Sequence, residues 1–291
     1  MIVVKLYGGI GNQMFQYAAA KSLASRNADE FKLDISHYDI KELPNGLPYR
    51  SYDLSIFNIR GNIAGPKDLS RFRQAHTPFR RVLQKIDQIL HPSTVYYEPH
   101  YHFSPGFFQL KGDVYLEGYW QSEKYFKEIE QEIRKDFTIR TSMGNEENEM
   151  LGKISANNSV CLNIRRKEFV THPDIPFNGL EYIYTAADAI ASKVNDPHFF
   201  IFSDEMQWCR ENINLKYSHT FVPEHLYGDK FRNCLHLMRS CDHFIIPNST
   251  FGWWAAWLGD HKGKQVVVAK KWFNNDKVST KDLIPENWMQ L

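Results

Sequence analysis

Two adjacent arginines, a lysine and a glutamate, Arg165-Arg166-Lys167-Glu168, are the residues of this chain best suited to chemistry. A guanidinium donates two parallel hydrogen bonds to a phosphate and keeps its charge at any physiological pH. The cluster follows Val160-Cys161-Leu162-Asn163-Ile164, in which Val160, Leu162 and Ile164 alternate as in a buried strand, after the turn residues Asn158 and Ser159. Open α/β sheets bind ligands at the carboxyl ends of their strands. The stretch therefore points to a phosphate or diphosphate held by Arg165, Arg166 or both. The plainer reading is a strand that runs into a solvated charged loop.

Other strand ends carry polar residues too. His198-Phe199-Phe200-Ile201-Phe202 ends in Ser203-Asp204-Glu205, and His243-Phe244-Ile245-Ile246 ends in Pro247-Asn248-Ser249-Thr250. Ser249 and Thr250 are suited both to capping the following helix and to donating to a phosphate. Trp253, Trp254 and Trp257 in that helix have the spacing of a core face rather than a stacking platform. Near the start, Gly8-Gly9-Ile10-Gly11-Asn12-Gln13 separates the strand Ile2–Leu6 from an alanine-rich helix reaching about Ser25. Such a turn brings backbone N–H groups toward an anion at the helix N-terminus, or serves tight packing alone. A dinucleotide fingerprint needs a third glycine where Met14 stands. The strand Phe31–Asp34 does end in an acid, which keeps a nicotinamide enzyme as a minor reading.

The elements that position these residues alternate. From Ser159 onward strands and helices follow one another in a doubly wound pattern, with helices expected near 179–194 and 229–240 and a last strand at 266–269. Residues 36–115 read as irregular. Val114–Glu117 reads as a strand, followed by a helix that Ser122 caps and that runs to about Arg134. The polar stretch 141–158 suggests a boundary between a domain 1–150 and a domain 151–291, with the tail 276–291 able to pack back on the first. His100 and His102 have no evident third ligand and read as structural. Arg71, Arg73, Arg80, Arg81 and Lys85 alternate with apolar residues. They suit a solvated helix face, or an amphipathic surface leaning on an anionic membrane.

With 291 residues, 43% hydrophobic and 24% charged, the chain has the composition of a globular protein long enough for two cores. Aromatic residues make up 14%, and their flat faces suit sugars as well as cores. A net charge of +1 leaves no field that would favour nucleic acid. Cys161, Cys209, Cys234 and Cys241 lack metal or redox spacing and suit free thiols in a reducing cytosol. The opening residues show no signal peptide, and the longest apolar stretch, near 243–258, is too broken to span a bilayer. A cytoplasmic protein is expected, with peripheral contact at the inner membrane face the one membrane association left open. No D-x-D occurs, so the residues point to a diphosphate leaving group handled by arginine rather than by a metal.

Gly8-Gly9-Ile10-Gly11-Asn12-Gln13-Met14-Phe15-Gln16-Tyr17-Ala18 resembles the opening signature of the bacterial α-1,2-fucosyltransferases of glycosyltransferase family 11. Gly118-Tyr119-Trp120-Gln121-Ser122-Glu123-Lys124-Tyr125-Phe126, Phe202-Ser203-Asp204-Glu205 and Asn248-Ser249-Thr250-Phe251-Gly252-Trp253-Trp254 resemble the same family, in family order. The resemblance implies an α/β protein of the GT-B type: two Rossmann-like domains facing across a cleft, the donor in the C-terminal one. It implies an inverting, metal-independent transfer of L-fucose from GDP-β-L-fucose to the 2-hydroxyl of a galactose-containing acceptor, with no cofactor beyond the donor. The family pattern H-x-R-R-x-D is altered here: asparagine (Asn163) stands for the histidine and glutamate (Glu168) for the aspartate. Asparagine cannot act as a base.

On this resemblance Arg165 and Arg166 hold the diphosphate, with Asn163 beside them. Backbone groups near Gly9, Gly11, Asn12 and Gln13, together with Asn248, Ser249 and Thr250, close on the same phosphates. Ser203 and Asp204 face the guanine or ribose, unless Asp204 only caps its helix. Glu168 is the carboxylate placed to orient or deprotonate the acceptor, unless it forms an ion pair. The altered motif also admits another GDP-deoxysugar or acceptor hydroxyl, or a non-catalytic nucleotide- or glycan-binding protein.

Overall fold

Parallel strands covered on both faces read as nearly continuous runs of β-branched and aromatic residues. In this computed structural model, which describes residues 1–39, 50–59, 61–72, 93–140, 142–275 and 277–291, such runs build two units. One comprises Met1–Thr138 with Ser279–Ile284, the other Ile139–Val278 with Pro285–Leu291. Arg73, Arg80, Arg81 and Lys85 lie outside the described residues, so most of the basic amphipathic segment does too.

In the first unit β1 (Ile2–Lys5) leads into α1 (Ile10–Asn27), then β2 (Phe31–Asp34), β3 (Asn62–Ile63), α2 (Pro66–Ser70), β4 (Ser93–Tyr97), β5 (Asp113–Glu117) and α3 (Glu130–Asp136). The strands pair in parallel in the order β3-β2-β1-β5-β4. Ala18, Ala19 and Ala20 of α1 are fully buried, and their small side chains let the helix sit close to its surroundings on several sides. Tyr17 Oη donates to Asp136 Oδ2 at 2.6 Å and Lys21 Nζ pairs with the same oxygen at 2.6 Å, which ties α1 to α3. β3 and β4 lie within residues that read as irregular. β4 is an edge strand whose Thr94 and Val95 are exposed, so it lacks the apolar alternation that marks a strand in sequence. Ser122 caps as expected, its Oγ accepting from Lys124 N–H at 3.3 Å. The continuous helix does not follow. Tyr125 and Phe126, fully buried, draw the chain inward, and two 3₁₀ turns precede α3.

The second unit runs α4 (Asn145–Ser155), β6 (Asn158–Ile164), α5 (Gly179–Ala191), β7 (Pro197–Ser203), α6 (Met206–Asn212), β8 (His219–Phe221), α7 (Arg232–Arg239), β9 (His243–Ile246), α8 (Thr250–Leu258), β10 (Val266–Val268) and β11 (Met289–Gln290). Its sheet, again parallel, has the order β11-β10-β9-β6-β7-β8. The polar stretch 141–158 contains α4, which is polar because only Met150 and Ile154 are buried. The units divide at Thr138/Ile139, ahead of residue 150, and the tail is shared: Ser279–Ile284 belongs to the first unit and Pro285–Leu291 to the second. Trp253, Trp254 and Trp257 are core residues, and Trp288 packs against Trp253 at 5.5 Å between ring centres.

In both sheets the chain runs outward on one side of its first strand and then resumes on the other. The strand order therefore reverses between β1 and β5 in the first unit and between β6 and β9 in the second. Ligands of open α/β sheets bind outside the carboxyl ends of strands at such reversals.

Candidate active site

Alternation along β6 decides what its end presents. Val160, Leu162 and Ile164 share a buried cluster with Ile183, Ala187 and Ile201. Asn163, one residue out of phase, belongs to the opposite face of the sheet. There it meets α8: a β-carbon added at Gly252 would lie 2.7 Å from Asn163 Oδ1 and 3.3 Å from Ile246 Cβ. The glycine of the N-S-T-F-G-W-W motif thus makes room for the side chain at the altered histidine position. Gly252→Ala is expected to cost about 1–3 kcal/mol of stability through overpacking. Urea unfolding of the two proteins checks this, and an unchanged midpoint would show that Asn163 has room to yield.

The register of β6 and β7 assembles the charged cluster. Ile164 pairs with Ser203, so the residues that follow each strand emerge side by side. Asp204 Oδ1 accepts from the Arg166 backbone N–H at 2.9 Å. Asp204 Oδ2 stands 3.0 Å from Arg165 Nη1, off hydrogen-bond alignment, as an ion pair. Arg165 Nη2 donates to Glu168 Oε1 at 2.9 Å. Arg166 Nη1 donates to Glu205 Oε2 at 2.6 Å, and its guanidinium lies 4.5 Å from the ring centre of Trp208. Both guanidiniums are thus held before any ligand arrives, which lowers the ordering cost of binding. The Arg166 Nε–H is buried without a hydrogen-bond partner.

The remaining candidates divide between packing and the strand-end surface. Ser203 is buried, and its Oγ accepts from Glu205 N–H at 3.0 Å, which shapes the turn into α6. Asn248 is buried and donates from Nδ2 to Pro176 O at 3.0 Å and Trp272 O at 3.1 Å, so it joins two loops. Ser249 occupies the N-cap of α8 without making a side-chain capping bond, and Thr250 opens the helix, partly exposed. Asp204 has both oxygens turned to the arginines, so it positions them. Glu168 is engaged by Arg165 rather than standing as an isolated carboxylate.

In the first unit Gly9 and Asn12 stand partly exposed at the start of α1, while Gly11 and Gln13 are buried. Both ends of the Gln13 amide are engaged: Nε2 donates to Gly8 O and Ser51 O, and Oε1 accepts from Asp53 N–H. It secures the chain at 51–53. His100 and His102 stack at 3.4 Å between ring centres, and among the described residues no group of three or more His, Cys, Asp or Glu could hold a metal ion. Nor is any helix of the described residues long and apolar enough to cross a membrane. All four cysteines are free and buried. Sequence reading missed Glu205 and Trp208, which hold Arg166. An acid and an aromatic spaced for one helical turn, just past a strand end, are too common a pattern to single out.

Comparison with known proteins fits this geometry. The chain is 28% identical over 295 residues to an alpha-1,2-colitosyltransferase of Escherichia coli, covering 100% of this chain and 99% of that protein. It is 28% identical over 213 residues to the galactoside 2-alpha-L-fucosyltransferase SEC1 of Bos taurus, covering 67% of this chain and 57% of that one. Among solved structures, NodZ alpha-1,6-fucosyltransferase co-crystallized with GDP is similar with a TM-score of 0.52 at 13% identity, covering 87% of this chain and 91% of that one. At that identity the likeness shows the fold, which is the GT-B type built of Rossmann-like units. The model of glycosyl transferase family 11 matches residues 99–291, and the chain belongs to that family.

Proposed function

We propose that the protein transfers a 6-deoxyhexose from its GDP-linked form to the 2-hydroxyl of a galactoside with inversion, L-fucose being the first candidate. The observation that carries this reading is the arginine pair at the strand-order reversal of the second sheet, each guanidinium held by a carboxylate. Arg165 and Arg166 bind the diphosphate and offset the charge that builds on it as the glycosidic bond breaks. The Ser249 hydroxyl, unused in capping, and the N–H groups opening α8 supply further donors. Asn163 lines the same strand end. Asp204 and Glu168 act by holding Arg165. No step requires a metal or a cofactor other than the donor.

A second donor has a specific claim. The relative aligned over its whole length is named for colitose, which lacks the 3-hydroxyl of fucose. A site that hydrogen-bonds a hydroxyl rejects the analogue lacking it by about 10⁴-fold or more. GDP-fucose and GDP-colitose offered side by side with a panel of galactosides, and products read by mass spectrometry and NMR, should therefore give strong preference for one donor and an α linkage. Turnover should be unchanged by a chelator, because guanidiniums supply the charge that a metal would otherwise provide. Magnesium-restorable loss on chelation would overturn the metal-free reading. Tight GDP binding without transfer from any donor would favour a non-catalytic binding protein.

A further inference from the structure

Two consecutive residues with side chains, Lys230 at φ 52° and Phe231 at φ 57°, occupy the left-handed region just ahead of α7. Such backbone is strained for a residue with a bulky side chain and persists only where the surroundings fix it. Here the preceding turn fixes it. Gly228, at φ 66° and ψ 175°, has a backbone that is in practice open to glycine alone. A β-carbon there would lie 2.7 Å from Asn233 Nδ2. Asn233 is buried and donates from Nδ2 to Glu147 Oε1 at 2.9 Å, and Phe231 N–H donates back to Gly228 O at 3.2 Å. The strained turn nevertheless delivers an apolar ring that is 48% exposed.

That ring stands at the carboxyl ends of the second sheet. Phe202 pairs with Asn163 and is out of phase with Phe199 and Ile201, so it shares the face of Asn163 and α8. Tyr227 stacks on Phe202 at 6.5 Å and 29°, and its hydroxyl accepts from Ser203 N–H at 3.1 Å, at the end of β7. Phe231 packs against Tyr227 at 6.5 Å and edge-on against Phe251 at 6.3 Å. Phe251 lies in the first turn of α8, beyond the end of β9, and is partly exposed. β6 lies between β9 and β7. A ring that touches residues at both neighbouring strand ends therefore borders the end of β6, where Asn163 and then Arg165 emerge.

We infer that Phe231, supported by Phe251, is the stacking platform for the guanine of the donor nucleotide. This rests on the GDP-sugar transferase reading above. Arg165 and Arg166 take the diphosphate by charge, and the base covers the exposed face of Phe231 and removes it from water. A purine presents two flat π faces that match such a ring. A hexose, with hydroxyls around its rim, covers it less completely. Phenylalanine offers no hydrogen bond, so it adds affinity for the base without selecting guanine. The fixed left-handed backbone holds the ring in place before the nucleotide arrives, which lowers the ordering cost of binding.

The test measures binding of GDP, GDP-fucose and inorganic diphosphate by titration calorimetry, with thermal unfolding, for the wild type, Phe231→Gly and Phe231→Leu. Glycine suits the left-handed backbone, so Phe231→Gly is expected to unfold at the same temperature or higher while GDP affinity falls about 10-fold or more. Affinity for inorganic diphosphate should not change. Phe231→Leu keeps an apolar contact with Phe251 and Tyr227 but has no π face, and should show a smaller loss of the same kind. Unchanged GDP affinity in both variants overturns the inference. Equal loss of GDP and inorganic diphosphate overturns it too, because the turn would then only shape the phosphate site. Weaker GDP-fucose binding with GDP unchanged sets the ring against the sugar and overturns the base assignment. If neither variant folds, Phe231 is a packing residue and the inference fails. A wild type that binds neither GDP nor GDP-fucose overturns the donor reading itself, an outcome distinct from the failure of Phe231 alone.

Discussion

Arg165→Ala is expected to lower turnover by about 10²–10³-fold at saturating donor and acceptor, with a smaller change in thermal stability. Removing a charge-assisted donor aimed at a leaving group costs about 2–4 kcal/mol in a desolvated site. Arg165 is placed for that role by two carboxylates, Glu168 at 2.9 Å and Asp204 at 3.0 Å, while about a quarter of its side chain stays exposed to meet a ligand. Arg166→Ala should be comparably damaging, with more of the loss in stability, because its guanidinium also packs on Trp208 and pairs with Glu205. Lysine should rescue neither fully, since an ammonium lacks the planar fork. The control is Arg71→Ala. Arg71 is 41% exposed in its pair with Asp113, and such pairs contribute roughly 0–1 kcal/mol to stability. GDP affinity, followed separately, should fall in the Arg165 and Arg166 variants and not in the control. Equal loss of turnover at all three positions would refute the strand-end assignment.

Asp204 should be the next most sensitive position, although it is not expected to touch the donor. Its side chain is 6% exposed, and it fixes the Arg166 backbone and the Arg165 guanidinium together. Asp204→Ala is expected to cost about 2–3 kcal/mol of stability, the range for hydrogen bonds to charged groups, and to lower turnover by about 10²-fold by releasing the arginine loop. Asp204→Asn separates the two functions. Its amide oxygen still accepts from Arg166 N–H, so the loop keeps its path, while the ion pair to Arg165 is lost. It should fall between alanine and wild type in both stability and turnover. Thermal unfolding and steady-state kinetics on the two variants check this. A direct guanine contact would instead make both variants lose GDP affinity by similar factors while leaving the melting temperature unchanged.

The second unit was largely legible in the sequence, because its signals are local. Val160, Leu162 and Ile164 alternate with the period of a strand, and β6, β7 and β9 are interior strands with apolar residues on both faces. Each ends in a recognisable polar cluster, so the strand ends that carry the arginines could be marked, while their place at a strand-order reversal came from how the strands pair. The tryptophans of α8 were readable as core from their helical spacing. Less was legible where local pattern and tertiary demand disagree. β4 is an exposed edge strand without apolar alternation, α4 looks like a polar linker because one narrow face is buried, and the helix expected after Ser122 gives way to 3₁₀ turns under the pull of two buried aromatic rings.

The alternation of strands and helices from Ser159 onward, the arginine pair and the family motifs were thus determined by the sequence itself, since residue type and short spacing are sufficient to encode them. What each charged group does was decided by the tertiary structure. The pairing of Ile164 with Ser203 brings Asp204 and Glu205 to the arginines, and the pairing of Tyr97 with Glu117 brings Glu98 to Gly118. Parallel register joins residues far apart in the chain, and nothing in the neighbourhood of Glu98 along the sequence announces its partner. A carboxylate becomes an anchor for a guanidinium or for a turn of backbone according to what the register sets beside it: in one unit arginines, in the other the N–H groups of Tyr119 and Trp120.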